Sequence, residues 1–301
     1  MTPDADPPVP KILERDFKYY IFDWDNNILH MPTQIHLERR RADGTWEPIS
    51  VSTSAFAVLR SDRENIRPPK GDWELSFADF RDLENRPESA FLADTHRALD
   101  AVLAGADETG PSFRQFQKAL VEGRLFAIVT ARGHKSSTLR QGVEMFIERM
   151  LSPADRATMI ANLRGYMEAF GEAHDLFSDD EVISRYLDLN HYHAVTSPEF
   201  RSRMGQKAPV GEQTEEAKQF AIRDFVGHVI RIIRKAGMDR PVSVGFSDDD
   251  PANTRAVERY IHQELAREFP GVKFVVYDTS DPEVEQGRKI IVTGQLELPL
   301  G

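Results

Sequence analysis

An apolar run that stops abruptly at acids constrains this chain more than any other feature: Lys18 to Leu29, KYYIFDWDNNIL. Tyr19, Tyr20, Ile21 and Phe22 read as a buried strand, and Asp23, Trp24, Asp25, Asn26 and Asn27 as what it delivers at its end. Residues two apart on an extended chain face the same side, so Asp23 and Asp25 are expected to converge while Trp24 faces away. Two carboxylates brought together repel unless a cation, a shared proton or strong donors hold them. Asp and Asn also end strands and begin turns, so the segment by itself leaves a chemical and a structural reading open.

The same plan recurs downstream. Leu125 to Val129, LFAIV, ends in Thr130, Ala131, Arg132 and Gly133, and Val242 to Phe246 ends in Ser247, Asp248, Asp249 and Asp250. A fourth strand is predicted at Lys273 to Tyr277. Apolar spacing predicts helices over Glu88–Leu103, Phe113–Glu122 and Ser136–Met150. Another runs from Thr214, with Glu215 and Glu216 in its favourable first turn, to Ala236 before Gly237. Pro251 suits the first position of a helix reaching Phe269. Strands alternating with helices predict an α/β fold, a Rossmann-like doubly wound parallel sheet.

Two stretches interrupt that rhythm. Extended runs around the Asp43-Gly44 pair predict a long β-hairpin over roughly residues 34–53. The text from 54 to 90 is mixed, with Trp73, Phe77 and Phe80 as a small apolar face. Residues 153–204 read as mainly helical. The expected organisation is a flexible leader at 1–16, an α/β domain at 17–285, and a C-terminal tail at 286–301. The domain's core is expected at about 17–33, 88–150 and 206–280, with inserted hairpin and cap segments at about 34–87 and 151–205.

At 301 residues and 40% hydrophobic, the chain can bury a large core. A net charge of -11 argues against broad binding to nucleic acid or anionic lipid, leaving only a local basic groove as a route to either. With no cysteine, thiolate nucleophiles, disulfides and cysteine-ligated metals are excluded. No apolar run is long enough to span a bilayer, so a soluble, cytoplasmic protein without a membrane partner is expected.

Ligands in open parallel sheets collect at the carboxyl ends of the strands. Three predicted strands end there in reactive residues: Asp23 with Asp25, Thr130, and Asp248 with Asp249. This set resembles the haloacid-dehalogenase (HAD) superfamily of phosphohydrolases. YIFDWD matches its first motif, FAIVT its second, and VSVGFSDDD its fourth. The resemblance covers about residues 18–29, 124–140 and 214–280, and departs at Asn27, where the family usually has Thr or Val.

The resemblance implies a phosphatase acting through an aspartyl-phosphate on Asp23, with Asp25 as general acid and base. It implies Mg²⁺ held by Asp23, the Asp25 carbonyl and the acidic cluster, Asp248 first and Asp249 second, with Asp250 left to cap the next helix. Thr130 and backbone N–H groups near Ala131 would bind the phosphoryl oxygens. Arg132 either adds charge there or is solvated beside Gly133. The family's cation is assigned to Lys218, at the start of the helix before the last acidic strand, with Lys207 in reserve and Lys235 at the wrong end. The hairpin and the 150–205 segment are candidates to cover the site and select a small phosphorylated substrate.

Asp25 favours phosphatase chemistry over the dehalogenase and phosphonatase branches. The alternatives are a phosphotransferase, a nucleic-acid end-phosphatase using Arg39, Arg40 and Arg41, and a non-catalytic scaffold. His30, His134, His191 and His193 lack convincing ligand spacing and read as surface or loop residues. The run Asp175 to Glu181 reads as a helix start with a solvated face. The tail Gln295 to Gly301, QLELPLG, is similar to the sliding-clamp docking peptides of bacterial replication proteins, although such tails are more commonly plain edge-strand or disordered text.

Overall fold

The central sheet has six strands in the order β6 (His191–Ala194), β5 (Phe126–Thr130), β1 (Phe17–Phe22), β7 (Val242–Asp248), β8 (Val272–Asp278) and β9 (Arg288–Thr293). These assignments come from a computed structural model that describes residues 16–86, 88–106, 109–173, 175–205, 214–238, 240–281 and 287–293. Five strands run parallel, and β9 alone is antiparallel, pairing Val275 with Ile291. Strand β1 lies between β5 and β7, in register Ile21 to Ala127 and Ile21 to Phe246. Its near-continuous apolar text follows from that position, because a central parallel strand is buried on both faces.

The winding reverses beside β1. The chain steps from β1 to β5 to β6 in one direction, and from β7 to β8 in the other. Right-handed crossovers in opposite directions put the connecting helices on opposite faces and open a crevice at the carboxyl ends where the direction changes. The arrangement is compatible with the Rossmann-like fold expected.

The helices are α3 (Ala90–Leu103), α4 (Phe113–Val121), α5 (Ser136–Met150), α6 (Pro153–Ala169), α7 (Asp179–Asp188), α8 (Pro198–Arg203), α9 (Thr214–Lys235), α10 (Pro251–Tyr260) and the short α11 (Ala266–Glu268). A π-helical turn, Ile261–Leu265, joins α10 to α11, so the helix expected from Pro251 is one run. Trp24 is fully buried against Phe91 of α3 and Phe116 of α4, on the side away from the acids, as the alternation required. Phe116 also meets Phe126 and Phe146, locking α4 and α5 to β5.

The hairpin forms as β2 (Ile35–Arg40) and β3 (Trp46–Val51), with Gly44 in the turn at φ +82 where a side chain would be strained. With β4 (Ile66–Arg67) it makes a three-stranded sheet whose Ile35, Leu37 and Ile66 pack with Phe56, Phe77 and Phe80. Helices α1 (Thr53–Leu59) and α2 (Trp73–Ser76) complete this unit. Its last residues reach the loop after β5: Phe80 O accepts from Gly133 N at 2.8 Å, and Asp82 accepts from Lys135 N and Thr138 Oγ1.

The 151–205 segment is mainly helical; its last part reaches the carboxyl edge, where Thr196 donates through N and Oγ1 to the carbonyls of Arg132 and Ala131, while α6 and α7 pack at the opposite end. Asn162 of α6 bonds the carbonyl of Val121, and Tyr186 of α7 bonds that of Arg124, both at the amino end of β5. The segment also supplies β6, which the sequence hid because four residues with two histidines are too short and polar to read as a strand. Likewise β9 lies within the expected tail, and takes its place by pairing with β8. The leader to residue 15, Lys207 and the QLELPLG tail lie outside the described residues. Among those described, no helix is long and apolar enough to cross a membrane.

Candidate active site

At the carboxyl edge, Asp23 follows β1 directly and its N–H donates to the Ser247 carbonyl of β7 at 3.0 Å. The loop then turns through Asn26 at φ +55, a conformation that Asn tolerates better than most residues. Lys218, in the first turns of α9, reaches into this edge. Its Nζ lies 2.6 Å from Asp248 Oδ2 and 3.3 Å from Asp23 Oδ1. All three side chains are buried. The choice of Lys218 over Lys235 follows from helix direction: the two are 17 residues apart on α9, about 25 Å along its axis.

Burial raises the Asp23 carboxyl well above its usual range, and Lys218 only partly opposes this. Burial alone would lower the Lys218 ammonium, but Asp23 and Asp248 overcome it and hold the group charged. Asp249, partly buried beside them, is pushed up to about 7, first by desolvation and then by Asp248. Asp248 turns its other oxygen, Oδ1, to Asp250 N at 3.0 Å and Asn253 Nδ2 at 3.3 Å. Asp250 caps α10 through Ala252 N, as expected.

The other half of the site centres on Asp25. Thr130 Oγ1 donates to Asp25 Oδ2 at 3.3 Å. Ala131 is exposed beside it, with its carbonyl accepting from Thr196 Oγ1. Arg132 is not solvated but 1% exposed, and it takes both Asp25 oxygens. The Phe80 and Phe91 rings lie 4.8 and 5.2 Å from its guanidinium carbon, and Thr33 Oγ1 accepts from Nη2 at 2.6 Å. Its remaining nitrogen, Nη1, is buried with no hydrogen-bond partner. A glycine next door suggested a loose loop; the aromatic walls come from residues far away in sequence.

Asn27, the letter that departs from the first motif, is the hub beneath the site. Fully buried, it donates through Nδ2 to the carbonyls of Asp23 and Ser247 and to Ser247 Oγ. Its Oδ1 accepts from Ser112 Oγ at 2.8 Å and Thr279 Oγ1 at 2.9 Å. One amide thus ties the ends of β1 and β7 to the loops before α4 and after β8. The histidines also depart from expectation. His134 and His193 are buried, with pKa values lowered to about 4, chiefly by desolvation. His191 and His193 lie on β6 rather than in a loop.

Comparisons with protein-family models, with curated proteins and with solved structures find no match for this chain. The site is therefore read from its own chemistry. Among the described residues, Asp23, Asp25, Asp248 and Asp249, when ionised, face the two cations Lys218 and Arg132, which leaves two negative charges unbalanced there. The donors are carboxylates without a nitrogen or sulfur ligand among them, the set that a hard dication prefers. The residues fit a hard divalent cation.

Proposed function

We propose that this chain is a Mg²⁺-dependent phosphohydrolase of the HAD type, acting on small phosphomonoesters. The observation that carries this reading is the meeting of Asp23, Lys218 and Asp248, from three distant segments, at the edge where Asp25 and Thr130 also lie. A structural ion pair needs one acid per cation; this edge holds a surplus of acid in a buried place.

In the proposed reaction an Asp23 carboxylate oxygen attacks phosphorus and the ester P–O bond breaks. Asp25 gives its proton to the departing alkoxide. Water then attacks the phosphorus of the aspartyl-phosphate, its proton passes to Asp25, and orthophosphate and free Asp23 result. Lys218 and the Thr130 hydroxyl would hold the transferring oxygens, with backbone N–H groups near Ala131. Bound Mg²⁺ would supply charge neutralisation on those oxygens, held by Asp23, Asp248 and Asp249 and the Asp25 carbonyl.

Asp25 cannot donate a proton while Arg132 occupies both its oxygens, since an ionised carboxylate only accepts. Arg132 must therefore let go, and an arriving phosphate offers it a replacement anion. Its unpartnered Nη1 suits that second role. Arg39 and Arg41 of the hairpin both bond Glu47, which argues against a basic groove for nucleic-acid ends. The test is phosphate release from p-nitrophenyl phosphate, nucleotides, sugar phosphates and end-phosphorylated oligonucleotides, with and without Mg²⁺. Metal-dependent release by the wild type, lost in Asp23→Asn, supports the reading; no release on the whole panel overturns it.

A further inference from the structure

A second cluster lies on the edge strand β6, on different chemistry. His191 and His193, two apart on the strand, turn their rings to one side, toward Asp224 of α9. His191 Nδ1 lies 3.2 Å from His193 Nε2, and Asp224 Oδ2 lies 3.3 Å and 3.5 Å from those two nitrogens. Three ligands at bond lengths of about 2.0 to 2.2 Å from a tetrahedral ion stand about 3.3 Å from one another. The three measured separations bracket that value.

The surroundings match. His193 is 2% exposed; its Nε2 meets His191 and Asp224 inside the cluster, while its Nδ1, on the far side of the ring, has no hydrogen-bond partner. His228, stacked 4.4 Å from His191, donates from Nε2 to the Leu189 carbonyl at 2.9 Å, and its ring closes that side. The half-exposed Arg203 bonds Asp224 Oδ2 at 2.9 Å and is the one cation placed against the cluster among the described residues, on its solvent side. A metal would compete with that arginine for the carboxylate, and the Arg203 side chain can turn outward.

We propose that His191, His193 and Asp224 form a binding site for a divalent transition metal of the zinc class, separate from the all-carboxylate Mg²⁺ site. Two imidazoles and one carboxylate favour a borderline ion over magnesium, and leave one tetrahedral position to water or another ligand. The ion would fasten α9 to the edge of the sheet. Asp224 follows Lys218 by six residues on the same helix, about 9 Å along its axis, so the clamp braces the helix that carries the buried lysine. This inference does not depend on the phosphatase reading.

The experiment is a titration of full-length, metal-free protein with Co²⁺, followed by its visible d–d absorption, and then with Zn²⁺ and Mg²⁺ as competitors. One equivalent of Co²⁺ should give a tetrahedral spectrum that Zn²⁺ erases and excess Mg²⁺ does not, and Zn²⁺ should raise Tm. His191→Gln, at a partly exposed position, and Asp224→Asn should each weaken Co²⁺ binding about tenfold or more while circular dichroism stays native. Asp23→Asn should bind Co²⁺ as the wild type does. The proposal is overturned by no tetrahedral signal in the wild type, by a signal that survives both cluster substitutions, or by one that Asp23→Asn abolishes.

Discussion

Arg132 grips Asp25 at two points, Nε to Oδ2 at 2.8 Å and Nη2 to Oδ1 at 2.6 Å, with the guanidinium walled in by aromatic rings. Held this way, Asp25 is positioned but, as an ionised carboxylate, has no proton to give in the proposed reaction. Under the proposed function, the pair would be a latch opened by a phosphate dianion that takes over the guanidinium.

Arg132→Ala should lower kcat/KM on p-nitrophenyl phosphate by about a hundredfold, the scale of losing one fixed donor to a developing oxyanion. Arg132→Lys keeps the charge but not the fork, and should recover only part of the loss. Steady-state kinetics at saturating Mg²⁺ decides it, and unchanged kcat/KM in the alanine variant would remove Arg132 from the reaction.

Lys218→Met removes the cation shared by Asp23 and Asp248 while filling a similar volume. Two buried carboxylates are then left facing each other, at a cost of about 3–5 kcal/mol. Urea denaturation in EDTA should show that loss, and Mg²⁺ should restore part of it. Equal losses with and without Mg²⁺ would argue against a cation between the two acids.

Asn27→Asp keeps the acceptor toward Ser112 and Thr279 but turns an oxygen toward the carbonyls of Asp23 and Ser247. A new buried acid there is tolerated only protonated, so the variant should be far less stable at pH 8 than at pH 5. Asn27→Ala takes a partner from the Thr279 hydroxyl and the Asp23 carbonyl and one of the partners of Ser112 and Ser247, and should lose about 3 kcal/mol at either pH. Denaturation at both pH values tests the contrast.

Stability should also depend on pH through the acids themselves. Asp249 is raised to about 7 and Asp23 is raised by burial, so each keeps a proton in the metal-free fold that the unfolded chain releases near pH 4. Their stabilisation is complete below that range and is lost as pH rises toward 7 and beyond. The buried His134 and His193, lowered to about 4, act in the opposite sense between pH 5 and about 6.5, so the test is comparative. From pH 5 to pH 8, Tm in EDTA should change less favourably in the wild type than in Asp249→Asn, and Mg²⁺ should narrow that difference. Identical pH profiles of the wild type and Asp249→Asn in EDTA would contradict a raised Asp249.

Much of the fold was legible because its signals are local. Strand β1, the hairpin, and helices α5 and α9 stand within a residue or so of where apolar spacing, turn letters and caps put them. What failed was short or non-local. Strand β6 has too few residues to show a period, and β9 is a strand only because β8 offers it an edge. The 151–205 segment read as a cover for the site; its end near Thr196 does reach the carboxyl edge, but α6 and α7 pack at the other end, decided by partners such as Val121 and Arg124.

By itself the sequence placed Asp23, Asp25, Thr130, Asp248 and Asp249 at or just after strand ends and Lys218 in the first turns of a helix, because strand ends and helix direction are encoded within a few neighbouring letters. Only the tertiary structure decided what surrounds them. It buried Arg132 between Phe80 and Phe91 and locked it to Asp25, made Asn27 the tie under four chain segments, and closed two strand histidines onto Asp224. Those roles depend on burial and on atoms from distant segments meeting at hydrogen-bond distance, and neither quantity exists until the chain has folded.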